Sequence, residues 1–250
     1  MRMSELTIAE AGFRSRLRSV RKSVTDLRWY PYSSLNNISI LARFLPPDLE
    51  IVPAGGSVLD IGAADGDMGF FFQSLGCDVD FLDNAVTNFN DCEGIRRTAS
   101  LLGRPQKLIE RDIDRGFELD RDYDLAIFLG TLYHLRNPAL SLVRLAQRCH
   151  RALISTRVMS HLPDGRNVEH AALAYLLDTR EANDDPTNYW IFSPVGLERL
   201  LKRCGWRVMH AHRVGEVGRS NPVDNHADER MFMFCERVEY HADLDKHHEF

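Results

Sequence analysis

The sequence predicts an α/β fold in which helices flank a doubly wound, mostly parallel sheet of seven strands. Short apolar runs alternate with helical patterns between residues 57 and 157, as parallel strands and crossover helices require. The run at 123–129 is apolar after Asp124, which is typical of a central strand covered on both faces. A turn of very small residues, at 62–66, follows the first run. Together these observations predict a single sizeable domain.

An N-terminal helical extension is expected at residues 1–50. In its first part apolar residues recur at helical spacing, which predicts an amphipathic helix containing Phe13, Leu17, Val20, Val24 and Leu27. The basic residues interleaved with them, such as Arg21, are expected to form its solvated face. A second helix is predicted at 36–44, before Pro46.

The main domain is expected at residues 51–240. Its strands are predicted near 57–62, 79–83, 107–111, 123–129, 151–157, 207–214 and 230–238, and its helices near 67–75, 92–102, 138–148 and 194–203. The polar segment at 158–192 interrupts the alternation and is predicted to be a lid-like insert after the fifth strand. Residues 241–250 are expected to form a polar tail.

The most informative motif has the spacing Asp60-x-Gly62-x-Ala64-x-Gly66. Small residues between a strand and a helix allow a ligand to approach the backbone, and the helix N-terminus offers free N–H groups. The dinucleotide fingerprint G-x-G-x-x-G fails, because Asp67 occupies its third glycine. A tight turn without a ligand is the alternative reading of this segment alone.

A second acid, Asp83, ends the next predicted strand, where a doubly wound fold places a carboxylate for ribose hydroxyls. With the preceding loop, this arrangement resembles the class I S-adenosyl-L-methionine (SAM) methyltransferases. The resemblance implies a Rossmann-like methyltransferase fold with SAM as cofactor. It also implies that Asp112 binds the adenine amino group, that Ile113 packs on the adenine ring, and that the fourth strand ends at the cofactor.

The fourth strand ends at Leu129 and is followed by Gly130, both predicted to bind the cofactor, and then by a string containing Tyr133 and His134. This string, Leu-Tyr-His-x-x-x-Pro, resembles the bacterial enzymes that carboxymethylate the wobble uridine of tRNA. Those enzymes use a carboxylated SAM and take a lysine from the N-terminal extension, whereas residues 29–37 contain no lysine here. We therefore expect ordinary SAM and a small or medium-sized acceptor, methylated on oxygen or nitrogen.

His134 is the candidate general base, since histidine titrates near neutrality, and Tyr133 is expected to orient the acceptor. Arg157, Tyr189 and Trp190 are candidate substrate contacts, with the insert and residues 29–32 closing over the site. Each also has a structural alternative, as a packing, capping or ion-pairing residue. Two other functions stay open: a tRNA-modifying methyl- or carboxymethyltransferase, and a non-catalytic SAM-binding protein.

Composition narrows these alternatives. The formal net charge is −5, whereas a nucleic-acid binder usually carries a basic domain or stripe, so tRNA is disfavoured as a partner. Five widely spaced cysteines indicate reduced thiols and a cytoplasmic location. The histidines lack a third ligand at suitable spacing, so no metal is expected. Neither a secretory signal nor a membrane span is expected, and the sequence leaves the oligomeric state open.

Overall fold

The computed structural model describes residues 1–224 and 227–238 of the chain. The helices are α1 (Met3–Arg21), α2 (Asn36–Leu41), α3 (Asp67–Ser74), α4 (Glu93–Leu102), α5 (Pro138–Arg148), α6 (Glu181–Asp184) and α7 (Pro194–Arg203). The strands are β1 (Ser57–Ile61), β2 (Asp78–Asp83), β3 (Lys107–Glu110), β4 (Tyr123–Leu129), β5 (Cys149–Val158), β6 (Ala174–Leu176), β7 (Trp190–Phe192), β8 (Trp206–Gly215) and β9 (Glu229–Arg237). The predicted tail at 241–250 lies outside the described residues.

The sheet has the predicted doubly wound topology. Strands β3, β2, β1, β4 and β5 are neighbours in that order and parallel, and β9 and then β8 continue the sheet in antiparallel pairing. The chain reverses its direction of winding between β1 and β4. In open α/β sheets such a reversal leaves a crevice beyond the carboxyl ends of the strands, where ligands bind. The seven predicted strands are confirmed.

Two short strands, β6 and β7, were not predicted. They form an antiparallel hairpin within the insert (residues 158–192), and β7 meets β5 at the single pair Val158–Phe192. Each has three residues, too few for an alternating pattern to stand out in the sequence.

Both faces of the sheet are covered. Val58 belongs to a core that also contains Phe13 and Leu17 of α1, whereas Leu59 packs on the other face, against residues such as Leu142 of α5. Because α1 contributes to the same core as β1, the N-terminal extension is an integral layer of the domain. The near-continuous apolar strands follow from this double burial.

The two N-terminal helices are shorter than predicted. Helix α1 ends at Arg21, so Val24 and Leu27 lie beyond it. The intervening Ser-Val-Thr-Asp run consists of residues that favour caps, turns and strands over a helix interior. Helix α2 ends at Leu41, and residues 43–44 continue in tighter i→i+3 turns. Within the described part of the chain, no helix is long and apolar enough to cross a bilayer.

Candidate functional site

The turn that leaves β1 (residues 62–66, the β1 loop) is built against the segment that leaves β4 (residues 130–137, the β4 turn). Gly62 has a φ of 63° and donates its N–H to the carbonyl oxygen of Leu82. A Cβ added at Gly62 would lie 2.2 Å from Thr131 Oγ1. A side chain at this position would therefore force the two loops apart, at the crevice where the winding reverses.

Ala64 occupies the position of the motif's middle glycine and has a φ of 54°. An L-residue in this left-handed region is strained by roughly 1–2 kcal/mol. Its N–H donates to Asp83 Oδ2 over 2.9 Å, which helps to hold the strained conformation. The β1 loop and the acid that ends β2 are therefore joined into one unit.

Asp83 is half-buried at the tip of β2. Its Oδ2 also accepts from the Asn88 side chain over 3.0 Å, and its Oδ1 accepts from the Asn84 N–H over 2.8 Å. Burial raises the pKa of Asp83, although these hydrogen bonds oppose the shift. Each carboxylate oxygen can accept more than one hydrogen bond, so the group retains capacity for a diol. Asn88 was not predicted, since nothing in the sequence distinguishes it from a loop asparagine.

Asp60, the first residue of the motif, lies near the end of β1. It is 4% exposed, and its Oδ2 accepts from the Gly69 N–H over 2.8 Å. Burial raises its pKa to about 7, helped by the charges of Asp83 and Asp67 and opposed by the Gly69 bond. Asp60 therefore holds the first turns of α3 behind the β1 loop. Asp60 is also a predicted cofactor-binding residue, and that contact stays a prediction.

Asp112 and Ile113 follow β3 at the same edge of the sheet. Asp112 caps a single 3-10 turn through a 3.0 Å bond from the Asp114 N–H to Oδ1, and its Oδ2 pairs with Arg115 Nε at 3.2 Å. Ile113 is 9% exposed and packs in the core beside Leu142. The structure thus places both residues where predicted, while leaving little surface of Ile113 for a ligand.

Two further acids of this region hold the segment between α1 and α2 (residues 22–35, the strap). Asp65 Oδ2 accepts from the Tyr30 N–H over 2.8 Å. Asp67 pairs with Arg21 at 2.7 Å and accepts from Ser33 Oγ over 2.6 Å. Arg21 is therefore a structural anchor, which corrects its predicted place on a solvated face. These contacts had no sequence signal beyond the acidic character of the loop.

The strap places Tyr30 beside the segment that follows β2. Tyr30 lies with its ring 5.6 Å from that of Phe89. Burial raises the pKa of Tyr30, and the neighbouring Tyr133 hydroxyl adds to the shift. Closure over the site by residues 29–32 stays a prediction.

Tyr133 and His134 lie in a 3-10 turn immediately after Gly130 and Thr131, with their ring centroids 4.1 Å apart. Thr187 Oγ1 lies 3.0 Å from His134 Nδ1. Burial lowers the pKa of His134, outweighing the opposite effect of Asp185. The imidazole is therefore neutral at pH 7, with Nε2 left as its second polar atom.

Tyr189 and Trp190 fasten the insert to the β4 turn through Arg136. Arg136 Nε donates to the Tyr189 hydroxyl over 2.7 Å, and its guanidinium lies 5.2 Å from the centre of that ring. Trp190 Nε1 donates to the Arg136 carbonyl oxygen over 3.2 Å. Because their polar atoms are engaged in this way, the structure gives both residues an anchoring role, and substrate contact by them stays a prediction.

Leu129 and Gly130 end β4 at the crevice. The Gly130 N–H donates to the Ser155 carbonyl oxygen over 3.0 Å, and a Cβ on Gly130 would lie 4.0 Å from Arg230 Nη1. Arg157, 2% exposed, is the cross-strand partner of Arg230. Within residues 1–224 and 227–238, no group of three or more His, Cys, Asp or Glu side chains is placed to hold a metal ion.

Comparisons with known proteins agree with this geometry. Residues 33–211 match the family model described as a methyltransferase domain. A search of curated protein sequences finds no match. Among solved structures, an S-adenosylmethionine-dependent methyltransferase from Mesorhizobium loti has a TM-score of 0.54 and 17% identity, covering 80% of this chain and 97% of its own.

Two further solved structures have the same fold. The N-terminal domain of EvdMO1 with SAH bound has a TM-score of 0.53 and 14% identity, covering 90% of this chain and 97% of that one. The glycopeptide N-methyltransferase MtfA with sinefungin has a TM-score of 0.51 and 15% identity, covering 88% and 96%. At these identities the similarity establishes the Rossmann-like fold.

Proposed function

Since this chain belongs to the methyltransferase domain family, we propose that it uses SAM to methylate an oxygen or nitrogen atom of a small or medium-sized acceptor. The observation that carries the proposal is the joined unit of the β1 loop and Asp83, with Ala64 N–H bonded to the carboxylate. This unit lies at the reversal of winding, beside the aromatic turn after β4. It provides a donor site and an acceptor site at one edge of the sheet.

For the donor, the backbone of the β1 loop (Gly62, Ala64 and Gly66) approaches the ligand, and Asp83 accepts the ribose hydroxyls. Asp112 is assigned to the adenine amino group, and Ile113 offers its remaining surface to the ring. Leu129 and Gly130 face the methionine part. These assignments are what the resemblance to class I SAM methyltransferases implies, and the residues lie along the carboxyl edge of the sheet, where ligands bind.

When bound, SAM supplies a methyl group on a sulfonium that is already activated for displacement. The chain's own contribution is alignment and exclusion of water, which can supply roughly 7–11 kcal/mol of the barrier. Tyr133 orients the acceptor and the strap covers it. His134 takes the acceptor's proton at Nε2, because Nδ1 faces Thr187 and the ring is neutral.

A small acceptor is favoured over tRNA by the electrostatics of the chain. The formal net charge is −5, and a duplex or loop of RNA is bound chiefly through phosphate contacts by basic residues. MtfA, which has this fold, is a glycopeptide N-methyltransferase. A purely SAM-binding protein is disfavoured because His134 and Tyr133 lie immediately beyond the end of β4.

The experiment is transfer of a radiolabelled methyl group from SAM by the full-length protein, offered in parallel to a small-molecule cell extract and to bulk tRNA. We expect protein-dependent label in the small-molecule fraction. Label in tRNA would contradict the proposed acceptor class, and transfer to neither with measurable SAM binding would favour the non-catalytic alternative. Mass spectrometry of the labelled product then identifies the acceptor.

A further inference from the structure

Two arginines face each other at the edge of the sheet that carries the proposed site. Arg157 of β5 and Arg230 of β9 are directly opposite in the antiparallel register. Cβ atoms at such positions lie about 4.5–5.5 Å apart on one face, and like charges there are destabilising. The pair needs negative charge close by.

Asp228 supplies part of that charge. Its Oδ1 lies 3.1 Å from Arg157 Nε and its Oδ2 lies 3.1 Å from Arg230 Nε. Among the residues that the structure describes, it is the one carboxylate within ion-pair distance of either guanidinium. Asp224 acts on Arg157 from farther away and accepts from its Nη2 through the backbone carbonyl, over 3.2 Å. One carboxylate is therefore shared between two adjacent cations.

Arg157 also has unused hydrogen-bonding capacity. The residue is 2% exposed, yet its Nη1 has no hydrogen-bond partner in the described part of the chain, and its Nε contact with Asp228 is not aligned as a hydrogen bond. A buried donor without a partner is costly, so native structures rarely keep one unless a ligand or water completes it. Burial lowers the pKa of Arg157, in keeping with an incompletely compensated charge.

The pair lies next to the proposed acceptor position. The Arg230 guanidinium is 5.3 Å from the centre of the Tyr133 ring, and its Nη1 lies 4.0 Å from where a Cβ of Gly130 would be. An anion between the arginines would therefore lie beside the end of β4.

We propose that the acceptor carries an anionic group, a carboxylate or a phosphate monoester, which binds to Arg230 and to the free Nη1 of Arg157. This inference rests on the proposed function and narrows its acceptor class. Guanidinium groups suit the role because their planar N–H donors match both anions in bidentate geometry. We assign the anion to the acceptor rather than to a carboxylated donor, since residues 29–37 supply no lysine.

The test measures anion binding by calorimetry in the full-length protein saturated with S-adenosylhomocysteine. The probes are benzoate and phenyl phosphate, with neutral benzamide as comparison. We expect both anions to bind, benzamide to bind at least about tenfold more weakly, and Arg230→Met to weaken the anions by about tenfold or more. Arg151→Met is the matched control, because its side chain is 28% exposed on β5 against 33% for Arg230. It should leave both anion affinities unchanged.

Two results would overturn the proposal. One is equal binding of benzoate, phenyl phosphate and benzamide, or anion affinities that Arg230→Met leaves intact. The other is a preference of about tenfold or more for carboxylated SAM over ordinary SAM, with Arg230→Met abolishing this preference. That result would assign the anion to the donor. Binding of S-adenosylhomocysteine by wild type and Arg230→Met is read separately. Its absence in both would count against the proposed function, whereas its loss in the variant alone would place Arg230 in the donor site.

Discussion

The backbone N–H of Ala64 points at Oδ2 of Asp83 over 2.9 Å, joining the left-handed turn after β1 to the tip of β2. This bond makes one residue both a partner of the loop and a candidate ligand of the ribose. Removing the carboxylate therefore leaves the Ala64 N–H without its partner and also removes the candidate acceptor of the ribose hydroxyls. Asp83→Ala and Asp83→Asn separate these two effects.

Asp83→Ala is expected to weaken SAM binding by at least about tenfold, because hydrogen bonds to a charged acceptor contribute roughly 1.5–3 kcal/mol. Calorimetry with SAM measures the effect. Asp83→Asn, which keeps an acceptor oxygen for the Ala64 N–H, should bind more tightly than the alanine variant and more weakly than wild type. Asp122→Ala, at a surface ion pair with Arg148, serves as control. Unchanged affinity in Asp83→Ala would remove this residue from the cofactor site.

Ala64→Gly is expected to stabilise the protein by about 0.5–1 kcal/mol. Relief of left-handed strain contributes roughly 1–2 kcal/mol, and the greater freedom of glycine in the unfolded chain offsets roughly 0.4–1 kcal/mol of it. Urea unfolding gives the free energy of unfolding. The control is Ala63→Gly, whose φ is not positive and which should destabilise. A loss of stability in both variants would show that the strain at Ala64 is negligible.

Asp60 makes the folding stability dependent on pH. Because its folded pKa is raised to about 7, the stabilisation from protonated Asp60 is complete below the unfolded pKa of about 3.9 and is lost as pH rises towards 7. Asp60→Asn lacks this dependence and keeps an acceptor for the Gly69 N–H. We expect its stability relative to wild type to rise by more than about 1 kcal/mol between pH 5 and pH 8. Parallel pH profiles in urea unfolding would contradict this.

His134→Ala should lower turnover by about 10²–10⁴-fold, as removal of a general base does, while SAM affinity stays nearly unchanged. Since burial lowers the pKa of His134, the rate of the wild-type enzyme should rise with pH through a limb below about 6.5 and level off near neutrality. The variant should lose that limb. Kinetics use the acceptor identified by the labelling experiment, with the exposed His150 as alanine control. Full turnover in His134→Ala, or joint loss of SAM binding and stability, would make His134 a structural residue.

Much of the fold was predictable because strands that are buried on both faces appear in the sequence as apolar runs. Their alternation with helical patterns indicates a parallel, doubly wound sheet. The positions of the β1 loop, Asp83 and the β4 turn followed from that alternation. The end of α1 could not be predicted from the apolar pattern, since apolar residues continue at helical spacing past Arg21. The residues that end the helix there have low helix propensity. The attachment of Tyr30 to Asp65 could not be predicted either, because a contact between residues 35 positions apart has no local signature in the sequence. The bond from the Gly69 N–H to Asp60 was not predicted either, because the motif gives spacing but not the direction of a side chain.

The anchoring of α1 through Arg21 also has a consequence for synthesis on the ribosome. Arg21 binds the Asp65 carbonyl oxygen and Thr98, which lie 44 and 77 positions later in the chain. Helix α1 leaves the ribosome before these partners exist, at about 5–20 residues per second. Its apolar residues Phe13 and Leu17 therefore stay uncovered on the nascent chain until β1 and α3 have emerged. During that interval α1 lacks the partners that hold it in the folded domain, so its docking follows the synthesis of β1 and α3.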